Sequence, residues 1–206
     1  MTPDLRLLLI ASFRPDDPLD ADRLRAALAG GVTIVEGRGK GFATGALVER
    51  YRELMAVCAE RAVPLLVNDR PDIAVLLGAA GAHVGPDDLP PLAARHVLGD
   101  AWLGVSARTP LRLREAAVAQ ATYVGIGALR ATPSKPEALT MGLARISELI
   151  RESTVPAIVI GGVIPEDLPS LREAGAAGVA VASGILEADD CQRAARSYRD
   201  AWESSR

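Results

Sequence analysis

Several short clusters of this sequence carry groups able to bind anions or a cation, and each stands where an apolar run stops. Glu36-Gly-Arg38-Gly-Lys40 places two cations two residues apart between glycines. That spacing keeps both side chains on one face of an extended segment, where they suit a polyphosphate or simply form a solvated charged loop. Asn68-Asp69 ends one apolar run and Asp87-Asp88 the next. An Asn-Asp pair before Pro71 can cap a helix, but acids at two adjacent strand ends can also hold one hard cation such as Mg2+, bridging to substrate phosphate. Ser106 brings a hydroxyl to the end of a further run, and Thr132-Pro-Ser134-Lys135-Pro136 packs two hydroxyls and an ammonium between prolines that stiffen the chain. Pro156-Ala-Ile-Val-Ile then closes on Gly161-Gly162, and Gly178-Val-Ala-Val-Ala on Ser183-Gly184. A strand ending in glycine before a helix start offers bare backbone N–H groups to an anion. Together these clusters point to one site for two phosphorylated groups and a metal.

The elements that must position them alternate along the whole chain. Strands are expected at Leu5–Ser12, Val32–Glu36, Pro64–Asn68, Ala82–Gly85, Trp102–Ser106, Tyr123–Gly127, the apolar run from Pro156 that ends in Gly161-Gly162, and Val179–Ala182. Between them the periodicity predicts helices over Leu19–Ala29, Thr44 to about Arg61 with Thr44 as cap, Asp72–Leu77, Leu92–Val97, Leu111–Gln120, Leu143–Arg151, Leu168–Ala174 and Asp190–Trp202. Eight such pairs predict an α/β protein whose parallel strands close as a (β/α)8 TIM barrel, one domain over residues 1–206. An open doubly wound sheet is the alternative, but no Gly-x-Gly-x-x-Gly follows the first strand. In a barrel the chemistry sits at the C-terminal strand ends, which is where the polar clusters fall.

Composition removes other classes. With 206 residues, 49% hydrophobic, the chain is long enough for a sizeable core. A net charge of −3 gives no basic field for nucleic acid, and 3% aromatic residues leave little for stacking on bases. The apolar run Leu7–Ala11 is too short to span a membrane, so a cytoplasmic protein is expected. Cys58 and Cys191 have no motif spacing and read as buried structural thiols. His83, inside a strand, reads as a packed imidazole, and His96 as a surface residue.

The order and spacing of Val67-Asn68-Asp69, His83-Val-Gly-Pro-Asp-Asp88-Leu-Pro90, Thr132-Pro-Ser-Lys135, Ile160-Gly-Gly162 and Val181-Ala-Ser183 resemble the thiamine phosphate synthase family. The resemblance runs from about Ala27 to Ala195. It implies a (β/α)8 barrel that joins a pyrimidine diphosphate to a thiazole phosphate and releases pyrophosphate. It further implies that Arg38, Lys40 and Lys135 hold the diphosphate, with Arg38, Lys135 and Ser106 the catalytic set. Asp69 and Asp88 would hold Mg2+, Asn68 would lie beside the diphosphate, and Ser106 would hydrogen-bond or help protonate it. Thr132, Ser134, Gly162 and Ser183 would bind the thiazole phosphate, and Glu36 would face the pyrimidine. The chain departs from the family pattern at Glu36, where the synthases carry Gln. Pro86 stands for a Gln and Ser134 for a Thr, Gly127-Ala-Leu-Arg130 lacks the usual proline and aromatic, and the first strand lacks its Tyr and Asp. The neighbouring branch of thiazole tautomerases would need the phosphate cup without the metal and diphosphate groups, and a binding protein for thiamine intermediates would need no chemistry. The expected partners are the two small-molecule substrates, without nucleic acid or membrane; a homo-oligomer is left open.

Overall fold

In the computed structural model, described here for residues 2–18, 20–131 and 140–204, eight parallel strands close into a barrel in sequence order. The strands are β1 (Leu7–Phe13), β2 (Ile34–Gly39), β3 (Leu65–Asn68), β4 (Gly81–Val84), β5 (Trp102–Ser106), β6 (Tyr123–Gly127), β7 (Ala157–Ile160) and β8 (Gly178–Val181). The helices are α1 (Ala21–Ala29), α2 (Thr44–Ala59), α3 (Pro71–Leu77), α4 (Pro91–Leu98), α5 (Pro110–Val118), α6 (Gly142–Glu152), α7 (Leu168–Glu173), α8 (Ser183–Leu186) and α9 (Cys191–Ser204). Both faces of each strand are covered, one by the lumen and one by helices, so the strands read as nearly continuous apolar runs.

Side-chain alternation divides the interior into two cores. Leu7, Leu9, Val35, Val67, Val105 and Val159 point outward and pack with the helices in the main cluster. Leu8, Ile10, Ile34, Leu66, Tyr123 and Ile158 point into the lumen and form a second cluster that plugs the barrel. Above this plug the same inward parity continues as Ser12, Glu36, Arg38, Asn68, His83 and Ser106, so the strand pleat that builds the core also delivers the polar groups. Register carries them to a common level: Ser12 pairs with Arg38, Asn68 with His83, and Ser106 with Gly125.

Helix starts follow local chemistry. The Asp20 carboxylate accepts from the Asp22 and Arg23 N–H groups at 2.9 and 3.2 Å, and Thr109 accepts from Arg112 N–H at 3.3 Å. Proline opens α3, α4 and α5, where a missing N–H costs nothing. Cys58 and Cys191 are buried, and burial pushes the Cys58 thiol up to about 12, which leaves it an inert core residue.

Three local expectations need correction, and one short helix is new. β2 does not stop at Glu36 but runs to Gly39, because Gly37, Arg38 and Gly39 pair with Ala11, Ser12 and Phe13 of a longer β1. The Tyr51 hydroxyl of α2 donates to Gly37 O at 2.6 Å and fixes this extension. Thr44 is the first residue of α2 and not its cap; the cap position is Ala43, which has no side-chain acceptor. Neither Asn68 nor Asp69 caps α3, whose cap position is Arg70. Finally, Ser183 opens the four-residue α8, too short for periodicity to reveal.

Candidate active site

The C-terminal strand ends surround one cavity of about 490 Å3. Glu36, Arg38, Lys40, Asn68, Asp69, Asp88 and Ser106 line it from β2 to β5, and Gly161, Gly162, Ser183 and Gly184 from β7 and β8. In an eight-strand closed order β3 faces β7 and β4 faces β8, so the charged lip and the glycine lip stand across the mouth from each other. Thr132, Ser134 and Lys135 lie outside the described residues.

The charged lip is built by backbone pairing. Lys40 N–H donates to Phe13 O at 3.1 Å, which continues the β1–β2 ladder past the strand end and holds Lys40 over the mouth. The Lys40 ammonium pairs with the Asp69 carboxylate. Asp69 has φ +63°, a left-handed conformation that costs a non-glycine residue energy and that Asp tolerates better than most. Its N–H donates to His83 O at 2.8 Å, so the strain is held by the neighbouring strand. Across the β3–β4 boundary Asp88 Oδ2 accepts from Gly85 N–H at 2.7 Å.

The two carboxylates lie close enough to influence each other and shift in opposite directions. Burial pushes both up, and for Asp88 contact with Asp69 adds to it, leaving Asp88 above the ordinary carboxylate value. For Asp69 the contact with Asp88, the Lys40 ammonium and the nearby Arg38 outweigh burial and hold it below. Two neighbouring carboxylates at adjacent strand ends are suited to a shared hard cation. Among the described residues no group of three or more His, Cys, Asp or Glu side chains comes together. Two acids alone fit Mg2+, which keeps several waters and takes phosphate oxygens as its other ligands.

The glycine lip depends on backbone conformation. Gly161 and Gly162 have φ +88° and +67°, where a side chain is strained. A Cβ on Gly161 would stand 2.5 Å from Ala128 Cβ, and one on Gly162 2.8 Å from Arg130 Cβ. The β6 and β7 loops are stitched together there. Leu129 and Arg130 N–H donate to Ile160 O and Gly161 O at 3.0 and 2.9 Å, and the Arg130 guanidinium donates to Gly162 O at 2.9 Å. Arg130 also pairs with Asp167, which in turn accepts from Ile164 N–H at 2.9 Å. From outside, the Tyr198 hydroxyl of α9 donates to Val163 O at 2.9 Å.

The floor joins Glu36 and Ser106, both named from the sequence, to groups that sequence reasoning missed. His83 is the buried, packed imidazole that was expected, and it is also hydrogen-bonded on both sides: its Nδ1 lies 2.9 Å from Tyr123 Oη and its Nε2 2.9 Å from Ser106 Oγ. Glu36, 4% exposed, has Oε2 at 3.9 Å from His83 Nδ1. Ser12 and Arg108 also line the cavity. Inward parity along each strand is the signal that would have found Ser12 and His83. Arg108 lies two residues past the end of β5 and has no such marker.

This fold and these groups define a (β/α)8 barrel enzyme that handles phosphorylated small molecules. The family model described as thiamine monophosphate synthase matches residues 7–185. The chain belongs to that family, and its function is thiamine-phosphate synthesis, a transferase reaction of thiamine biosynthesis. It is 45% identical over 190 residues to a thiamine-phosphate synthase of Natronomonas pharaonis, covering 89% of this chain and 87% of that one. It is 38% identical over 177 residues to one of Chloroflexus aurantiacus, covering 85% and 82%. The solved thiamine phosphate pyrophosphorylase of Pyrococcus furiosus superposes with a TM-score of 0.87 at 26% identity, covering 99% of this chain and 98% of that one. Among the described residues no helix is long and apolar enough to cross a membrane.

Proposed function

We propose that the chain joins a hydroxymethylpyrimidine diphosphate to a thiazole phosphate, with Arg38, Lys40 and Asn68 at the diphosphate and Gly162 and Ser183 at the thiazole phosphate. The observation that carries this reading is one cavity lip that holds the Lys40–Asp69 ion pair together with Arg38 and Asp88, opposite a separate glycine cup. A barrel with one phosphate ligand needs only the cup. Lys135, Thr132 and Ser134 complete the proposed set.

Asp69 and Asp88 would hold Mg2+. When bound, that ion offsets the charge that builds on departing pyrophosphate. Arg38 on β2 and Lys40 just past its end are held by backbone pairing with β1, so their backbone needs no reorganisation to bring both cations to phosphate oxygens. Ser106 offers a hydroxyl to the same leaving group from β5. Anchoring one phosphate at each lip leaves the pyrimidine methylene and the thiazole nitrogen between them, oriented for attack. The displacement is dissociative: the carbon–oxygen bond breaks with its electrons going to pyrophosphate, and the aminopyrimidine spreads the charge left on the methylene until the thiazole nitrogen captures it. No protein nucleophile is needed.

The test is to mix both substrates with Mg2+ and identify the products by mass. Thiamine phosphate and pyrophosphate in equal amounts are expected. Tight thiazole-phosphate binding with no product would instead support a sensor, and isomerisation of a thiazole carboxylate phosphate without pyrophosphate a tautomerase. In the same assay Glu36→Gln is expected to keep or raise kcat/KM for the pyrimidine diphosphate. An amide can both donate and accept, whereas an ionised carboxylate can only accept. Complete loss of turnover would show that the carboxylate itself takes part in proton transfer.

A further inference from the structure

Three strands place a hydrogen-bonded chain directly under the cavity: Tyr123 of β6, His83 of β4 and Ser106 of β5. We propose that His83 is a positioning residue, held by Tyr123 in the tautomer protonated at Nε2, so that it donates to Ser106 Oγ and turns the Ser106 hydroxyl proton into the cavity. The acceptor of that proton, an oxygen of the departing diphosphate, rests on the function proposed above; the tautomer does not.

The assignment follows from donor and acceptor accounting. Tyr123 is 1% exposed, and burial keeps its phenol protonated far above the ordinary range. A buried O–H left without an acceptor is costly. Among the described residues its hydrogen-bond partner is His83 Nδ1 at 2.9 Å. Glu36 Oε2, 3.9 Å from the same nitrogen, is beyond hydrogen-bond reach of the ring. With Nδ1 accepting, a neutral imidazole carries its proton on Nε2, which faces Ser106 Oγ at 2.9 Å. An N–H can only donate, so Ser106 accepts. Its single proton then points away from the ring, toward the cavity that both residues line. The opposite tautomer would set N–H against O–H and make Ser106 spend its proton on the ring.

The barrel is shaped around this ring. A Cβ on Gly104 would collide with the Tyr123 hydroxyl and stand 2.5 Å from His83 Nδ1, and one on Gly125 would come within 3.3 Å of His83 Cε1. Two inward positions on neighbouring strands are thus empty where the imidazole and phenol lie. The two rings sit 5.5 Å apart at a 39° tilt, which fixes the plane of the imidazole.

The chain has only two histidines, and His96 is exposed on α4, so nitrogen-15 spectra of histidine-labelled protein resolve the question directly. The wild type is expected to show His83 protonated at Nε2 and unprotonated at Nδ1. In Tyr123→Phe the phenol donor is gone, both tautomers become populated, and kcat falls about tenfold while both KM values stay within about twofold. Ser106→Ala leaves the ring tautomer unchanged, and adding Tyr123→Phe to it lowers kcat no further. A ring protonated at Nδ1 in the wild type, alone or together with Nε2, overturns the proposal, and so does an additive loss in the double variant. If the wild type forms no thiamine phosphate, the proposed reaction fails while the ring spectra still decide the tautomer.

Discussion

Asp88→Ala is expected to lower Mg2+-dependent pyrophosphate release by about 100-fold or more, the usual scale for removing one group that stabilises charge in a transition state. The carboxylate does two things that alanine cannot. It accepts from Gly85 N–H at 2.7 Å, which shapes the turn after β4, and it stands against Asp69 to complete an oxygen pair. Alanine leaves Asp69 alone with Lys40, an ion pair that satisfies both partners and offers little to a divalent cation. The loss should fall on the Mg2+ requirement: the variant's activity should climb with Mg2+ over a range where the wild type is saturated. Asp88→Asn separates the two roles, because an amide oxygen can still accept from Gly85 while lacking the charge. Steady-state pyrophosphate release across a Mg2+ titration measures both variants, and wild-type turnover in Asp88→Ala would remove Asp88 from the cation site.

Gly161→Ala should damage the opposite lip and spare this one. Alanine at φ +88° carries left-handed strain of about 1–2 kcal/mol. Its Cβ would also stand 2.5 Å from Ala128 Cβ and 2.7 Å from Ala128 Cα, a collision that no side-chain rotation relieves and that adds about 1–3 kcal/mol. Because Leu129 and Arg130 are tied by hydrogen bonds to the β7 end, the displacement carries both loops. The expected result is a KM for thiazole phosphate raised about 10- to 100-fold, with a lower Tm. Pyrophosphate affinity should hold, since Arg38 lies on β2 and Lys40, Asp69 and Asp88 in the segments that follow β2, β3 and β4. Isothermal titration with each ligand and a thermal melt measure the contrast, and equal weakening of both ligands would mean that the two lips are not independent.

Much of this architecture was legible in the sequence because barrel strands are short, apolar and regularly spaced. β5 and β6 fall where the runs Trp102–Ser106 and Tyr123–Gly127 stand. The end of β2 was hidden because Gly37-Arg38-Gly39 has loop composition, and only pairing with β1 makes it strand. The convergence of Arg38, Asn68, Asp69, Asp88, Ser106, Gly162 and Ser183 on one cavity could be anticipated once each was set at a strand end. The link from Ser106 to His83 and Tyr123 could not. It crosses three strands, and its two further members look ordinary in their own segments: a lone histidine and a core tyrosine. The left-handed backbone of Asp69 is only weakly marked by its residue type, which tolerates that conformation but also stands in many others.

The empty inward positions have a consequence for how this chain can change. Gly81, Gly104, Gly125, Gly127 and Gly178 share the lumen-facing parity of their strands. A methyl on Gly81 would meet the backbone of Trp102, one on Gly127 that of Ile160, and one on Gly178 that of Leu5. These are backbone obstacles that cannot swing aside, whereas Gly104 is blocked by the rings of His83 and Tyr123 and Gly125 by His83 alone. The first three glycines are therefore tied to the barrel's closure, and the last two to its occupants. Loss of the imidazole would release Gly125 from its constraint, so in a lineage where His83 has gone, Gly125 should drift first, with Gly104 following only when Tyr123 has also changed.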